Sequence, residues 1–189
     1  MDQWLQWAIT TIVGILGILA GRFWERFDRK LNKDRDLINK IVSIVPIDSE
    51  SLLALRENVY ANPYDVEELE SLWKLEKLLR QPSYFFLDNK LEKNKFGLMM
   101  AIGDFHNFIM DDRFISRERS ENYYFIKYPD EVDTMEKLRQ DGQFSEEEIT
   151  QIIEEDRHHF YGAQHSLLSL SMDVCDKYDA LMINAHKIL

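Results

Sequence analysis

The chain is poor in cysteine, proline and glycine, with one Cys, four Pro and seven Gly among 189 residues. A single cysteine, Cys175, closes no intrachain disulfide, which excludes a stapled scaffold and suits a reducing compartment. So few prolines and glycines exclude collagen-like repeats and low-complexity linkers. Cations are also scarce. Lys and Arg number 23 against 34 Asp and Glu, a formal net charge of −11. That balance speaks against non-specific nucleic-acid binding, which needs a basic footprint. No P-loop, Rossmann glycine fingerprint, nucleophile elbow or zinc spacing occurs, and nothing repeats at a fixed period.

What the chain does have is an uneven distribution of apolar residues. From Trp4 to Trp24 it reads WLQWAITTIVGILGILAGRFW, with Arg22 its only charge. At about 1.5 Å per residue this run covers roughly 30 Å, the hydrocarbon thickness of a bilayer. Trp4 and Trp7 at one end, and Arg22, Trp24 and Arg26 at the other, suit the membrane–water boundary. The leading MDQ carries no cationic side chain, unlike the start of a cleaved signal peptide. No Lys or Arg precedes the run, whereas Arg22, Arg26, Arg29, Lys30, Lys33 and Arg35 follow it. Positive-inside bias therefore predicts a single pass, with the N-terminus outside and the rest in the cytoplasm.

One face of this helix differs from the others. At about 100° per residue, Gln3, Gln6, Thr10, Gly14, Gly17 and Gly21 fall within an arc of about 80°. Leu5, Ile12, Leu16 and Leu19 take the opposite side. Small and polar residues let helix backbones approach and bond to one another in lipid. The stripe is read either as a helix–helix contact in a homo-oligomer or as the polar lining of a ring of helices.

The remaining pattern predicts an all-α fold: a transmembrane helix over 1–24, a basic helical neck over 25–46 and a helical cytoplasmic domain over 47–189. The neck carries Phe27, Leu31, Ile38, Ile41 and Val45 as an apolar stripe up to Pro46, and its cations suit anionic headgroups. Asp48 or Ser49 caps a short helix, Val66 to Leu79 repeats at helical spacing, and Asp88 caps a helix to about Asp112. An irregular insert is expected near 113–144, apart from a strand-like YYFIKY at 123–128. Ser145 and Glu148 form a capping box. The stripe after it, Ile149, Ile152, Phe160, Leu167, Leu170, Val174, Tyr178, Leu181 and Ala185, allows one helix of about 43 residues unless Gly162 breaks it.

Candidate chemistry is sparse. Glu155-x-x-His158 matches half of a di-iron bundle motif, but there is no second half. No metal site and no cofactor is therefore expected. Arg157, Tyr161 and His165 stand at i, i+4 and i+8. Such a face can bind or cleave RNA, with His moving the proton and Arg on the phosphate, or it can simply cover a helix. Cys175, beside an apolar stripe, reads as core.

The span Trp4–Trp24, the aromatic connector SYFFLDNKLEK at 83–93 and the helix after Ser145 together resemble the small membrane accessory proteins of type VI-B CRISPR loci. The resemblance implies a HEPN-like helical body, a ring-shaped homo-oligomer with a central pore and a bacterial inner-membrane location. It also implies partnership with an RNA-guided RNA nuclease, whose activation leads to permeabilisation of the membrane in antiviral defence. HEPN ribonucleases carry Arg, four to six residues, then His. Here the nearest pair, Arg157 and His165, falls one position outside that spacing, so the resemblance points to a body without catalysis. Two alternatives stand beside it: a membrane-tethered HEPN-type ribonuclease using Arg157 and His165, and a membrane scaffold that recruits a cytoplasmic partner through its acidic face.

Overall fold

No proline precedes Pro46, so nothing in the first 45 residues obliges a helix to stop. In the computed structural model, which describes residues 3–57, 64–111, 115–118, 123–126 and 130–187, a single helix α1 runs from Gln3 to Ile44. Its 42 residues make a rod about 63 Å long. The side chains of residues 3–10, Ile12 and Ile15 lie outside that description.

The rod changes character along its length. Residues 16–29 are exposed on every side, whereas Asp34, Leu37, Ile38 and Ile41, with Val45 just past the helix, are buried. The expected neck over 25–46 is therefore two things. Its first turns project, and from Asp34 onward it is a core helix of the body. Apolar residues at 37, 38, 41 and 45 have the i, i+1, i+4, i+8 spacing of one buried helix face.

The body is a helical bundle. Ser49 Oγ accepts the Leu52 N–H at 3.4 Å and opens α2, Glu50–Glu57. Helix α3 spans Val66–Leu79. Asp88 caps α4, Asn89–Asp111, by accepting the N–H groups of Lys90 at 2.8 Å and Leu91 at 3.1 Å. The Leu91 N–H, more than any other group, lowers the Asp88 carboxyl pKa. Leu69, Leu72 and Leu75 of α3, Leu98, Ile102 and Phe105 of α4, and Val174, Tyr178 and Leu181 of the last helix close one core with the end of α1.

The insert near 113–144 is not irregular in its described residues. It contains strands β2, Ile115–Glu118, and β3, Tyr123–Ile126, followed by helix α5, Glu131–Asp141. With β1, Tyr64–Asp65, the strands form an antiparallel sheet in the order β1-β3-β2, with Tyr64 opposite Tyr124 and Ile115 opposite Ile126. The fold is thus all-helical except for this small sheet. Helix α5 buries none of its residues, so no apolar period announces it. Its ends are nevertheless marked: Asp130 accepts the Asp133 N–H at 3.0 Å, and Gly142 takes the left-handed φ of 67° that closes a helix.

Helix α6, Glu146–Ala185, runs for 40 residues without a break at Gly162, and its Ser145–Glu148 capping box is formed. Of the expected stripe, Ile152 and Leu170 are only half-buried, and Ile153 rather than Ile152 faces inward. Near its far end, the Tyr178 hydroxyl donates to the Val45 carbonyl, tying α6 to the terminus of α1. Burial pushes the Tyr178 phenol up to about 12. Tyr178→Phe keeps the ring and strands a buried carbonyl. Urea unfolding of the detergent-solubilised chain should therefore show a loss of about 1–3 kcal/mol, with the helical circular dichroism of the folded state unchanged.

Candidate functional site

An apolar helix surface in water must be covered by something, and among the described side chains in the first half of α1 it is not. Val13 is 62% exposed, Leu19 57%, Phe23 72% and Trp24 68%. Gly14, Gly17 and Gly21 have open space where a side chain would be, with no neighbour within 4 Å. Gln3, Trp4, Gln6, Trp7 and Thr10 are helical in backbone, and their side chains are among those not described. Arg22 and Arg26 are exposed at the far boundary. Among the described residues, no helix is long and apolar enough to cross a membrane. Nine residues of the Trp4–Trp24 run (4–10, Ile12 and Ile15) lie outside that description.

The projecting rod is rooted by a buried carboxylate. Asp34, 2% exposed, accepts the N–H of Leu87 at 2.6 Å and of Asp88 at 2.9 Å. Those amides belong to the connector between α3 and α4. The connector is fixed from its other side as well: Glu92 accepts the Phe86 N–H at 2.8 Å, and the Lys95 ammonium donates to the Tyr84 carbonyl at 2.8 Å.

The Arg157, Tyr161 and His165 face lies on α6 as the spacing implies, but its members do not converge. The Arg157 guanidinium donates from Nε and Nη2 to the Glu131 carboxylate at 2.9 and 2.8 Å, fastening α5 to α6. Tyr161 and His165 remain exposed. A fork held by a carboxylate is not open to a phosphate unless the pair is broken. Glu155 accepts from Gln151 at 2.9 Å. Among the described residues, no three His, Cys, Asp or Glu side chains are placed to hold a metal ion.

One polar cluster escaped the sequence reading. Glu76, 7% exposed, accepts from Arg80 Nε at 2.9 Å and Nη2 at 2.6 Å, and its other oxygen lies 3.5 Å from His106 Nδ1. The His106 ring stacks on Trp73, centroids 4.1 Å apart. A side chain on Gly103 would meet Arg80 Nη2 at 3.0 Å and Glu76 Oε1 at 3.1 Å. The available signals were an i, i+4 Glu–Arg pair and a glycine inside the apolar stripe of α4. This cluster joins α3 to α4 around a buried carboxylate.

Cys175 is core, 6% exposed, with its thiol 4.0 Å from the Leu52 carbonyl. Burial, partly opposed by Arg56, pushes its pKa up to about 11 from 9.0. A raised thiol pKa means the neutral form is favoured by folding. That contribution is complete below pH 9 and is lost as pH climbs through 11. A disulfide reagent should therefore label Cys175 at pH 8 at least about a hundredfold more slowly in the folded chain than in urea, and labelling as fast as in urea would contradict this placement.

Compared with known proteins, the chain matches no family model, no curated protein and no solved structure.

Proposed function

We propose that this chain is a single-pass, membrane-anchored, self-associating protein in which α1 crosses the bilayer and carries the helical body at its cytoplasmic surface. The observation that carries the reading is the first half of α1: an unbroken helix, joined without a hinge to a bundle that leaves its described side chains uncovered. Water disfavours such a surface by about 25 cal/mol per Å² of apolar area. Lipid removes that cost and enforces the backbone hydrogen bonds of the helix. The cations from Arg22 to Arg35 favour the body on the cytoplasmic side, and the resemblance implies a bacterial inner membrane.

Within this reading, the stripe Gln3, Gln6, Thr10, Gly14, Gly17 and Gly21 is where subunits meet or where a ring of helices lines a pore. Its three glycines offer a flat strip on which a second helix can seat. Following the resemblance to the type VI-B accessory proteins, the assembly belongs to an antiviral system and permeabilises the membrane when an RNA-guided RNA nuclease is activated. The Arg157–Glu131 pair favours a body without ribonuclease chemistry, since the arginine that alternative needs is already bonded.

Two measurements test this. Deleting residues 1–27 removes the bare half of α1 and keeps Asp34, Leu37, Ile38 and Ile41. The product should be a soluble helical body, and retention in membranes through alkaline extraction would sink the single-pass anchor. Gly17→Leu adds apolar bulk in mid-stripe, so insertion persists while close helix contact is lost. Light scattering should give a lower oligomer mass in detergent, and a potential-sensitive dye should report no ion leak in triggered cells. Leu19→Ala, on the opposite side, should change neither. A Gly17→Leu protein that assembles and leaks like the parent would remove the stripe from both roles.

A further inference from the structure

Where α1 enters the body, it forms one wall of an open cleft of about 280 Å³, and the 83–85 connector forms the other. Leu37, buried, is part of the lining on the helix side. Lys33 and Lys40 stand either side of it, seven residues apart and therefore on one face of the helix. Each ammonium rests on an aromatic ring of the connector. Lys33 Nζ lies 3.2 Å from the centroid of Phe85, and Lys40 Nζ lies 4.4 Å from that of Tyr84 while also donating to its hydroxyl.

Four lysines meet carboxylates: Lys74 with Glu70, Lys95 with Glu92, Lys137 with Asp133 and Lys177 with Asp173. Among the described residues Lys30, Lys77, Lys90, Lys93 and Lys187 do not, so what sets Lys33 and Lys40 apart is the aromatic ring on which each rests. Among the described residues, neither Lys33 nor Lys40 forms an ion pair, although Asp36 also lines the cleft. A ring face holds an ammonium without neutralising it. Two ammoniums are thus held at the cleft without a direct carboxylate partner, with Asp36 in the lining and Asp34 close by on the same helix. The connector wall is fixed before any ligand arrives, because Lys95 holds the Tyr84 carbonyl while Glu92 and Asp34 hold the amides of Phe86, Leu87 and Asp88. Preorganised cations in a small cavity favour an anion over water.

The spacing narrows the ligand. Positions 33 and 40 are about 10 Å apart along the helix axis, and their ammoniums rest on the rings of two consecutive connector residues, Phe85 and Tyr84. A ligand that engages both carries charge at two linked points. We propose that this cleft binds a soluble organic diphosphate: the two phosphates lie on Lys33 and Lys40, and Ser83 at the rim is within the same cavity.

The alternative source of phosphate, a lipid headgroup, fails on distance if α1 crosses the bilayer as proposed above. Lys33 lies about 14 Å beyond Trp24 along the helix. The headgroup layer is only about 5–8 Å thick, and tilts up to about 40° do not lower Lys33 into it. Only this choice of source rests on the membrane reading; the cleft and its charges do not.

The test uses the full chain in nanodiscs of neutral phosphatidylcholine, with inorganic pyrophosphate as the calorimetric probe. Saturable binding is expected, weakened about tenfold by Lys33→Gln or Lys40→Gln, since one charge-assisted contact is lost in each. Lys74→Gln, on an exposed α3 pair, should bind like the parent. Absence of saturable binding, or a Lys33→Gln/Lys40→Gln double variant with parental affinity, overturns the proposal. A second arm repeats the titration in phosphatidylglycerol discs. Equal affinity in the two discs supports a soluble ligand. A fall in affinity that Lys33→Gln abolishes would make the headgroup the occupant and overturn the soluble source. Failure to insert into discs would defeat the anchor alone, and the same titration in detergent would still decide the cleft.

Discussion

The Asp34 carboxylate lies where solvent hardly reaches, and two backbone N–H groups from the connector satisfy it. A buried carboxylate without partners costs several kcal/mol, so this geometry holds only while the connector lies across α1. Connector and helix therefore fix each other. From that contact follow the walls of the lysine cleft and the entry of α4 at its Asp88 cap. The same contact marks the point along α1 where the free rod becomes core. Removing the carboxylate would leave two amides unpaired beside a helix that Leu37, Ile38 and Ile41 still hold in the core.

Much of this was legible in the sequence, because its elements announce themselves by period and cap. The Asp88 and Ser145 caps, the helix over 66–79 and the long final helix follow from apolar spacing and from the few helix-stopping residues. Three things were not legible. Helix α5 has a polar sequence and buries nothing, so only Asp130 and Gly142 betray it. The merging of the neck with the core could not be seen, because Ile38, Ile41 and Val45 read alike as a lipid-facing, a solvent-facing or a core stripe. The role of Asp34 depends on amides more than fifty residues away, and no local pattern records such a pairing. The same limit applies to the candidate site. Arg157 stands at the predicted place on α6, but its carboxylate partner comes from the helix that the pattern did not reveal.

Net charge changes sign along the molecule. Between Glu25 and Lys40 six cations are interleaved with four acids, while the acidic excess lies on the body, especially Glu146, Glu147 and Glu148 at the start of α6. Acidic groups at a helix N-terminus complement its dipole. Exposed pairs such as Arg139–Glu146 add little stability of their own. Their effect is to keep the body's surface charged and disinclined to associate. The apolar rod and the ring-held lysines are two surfaces, among the described residues, that such pairs do not occupy.

The rod itself joins those two surfaces. Three glycines in mid-helix cost about 1 kcal/mol each against alanine in water, and all three lie in the bare half, at 14, 17 and 21. In lipid that cost matters less, because an unbonded backbone there is far more expensive. The segment least able to stand alone in water is therefore the one lipid would hold straight, while the segment beyond Asp34 is held by the core. No proline and no left-handed residue separates them, so α1 behaves as one lever. A tilt of about 10° at Asp34 moves the Gln3 end by roughly 8 Å over the intervening rise of about 46 Å. Small changes where α1 meets the connector are thus enlarged at the glycine stripe. On the proposed reading of a self-associating rod, the lysine cleft, set at that junction, is a place where a bound anion would act on the rod's direction.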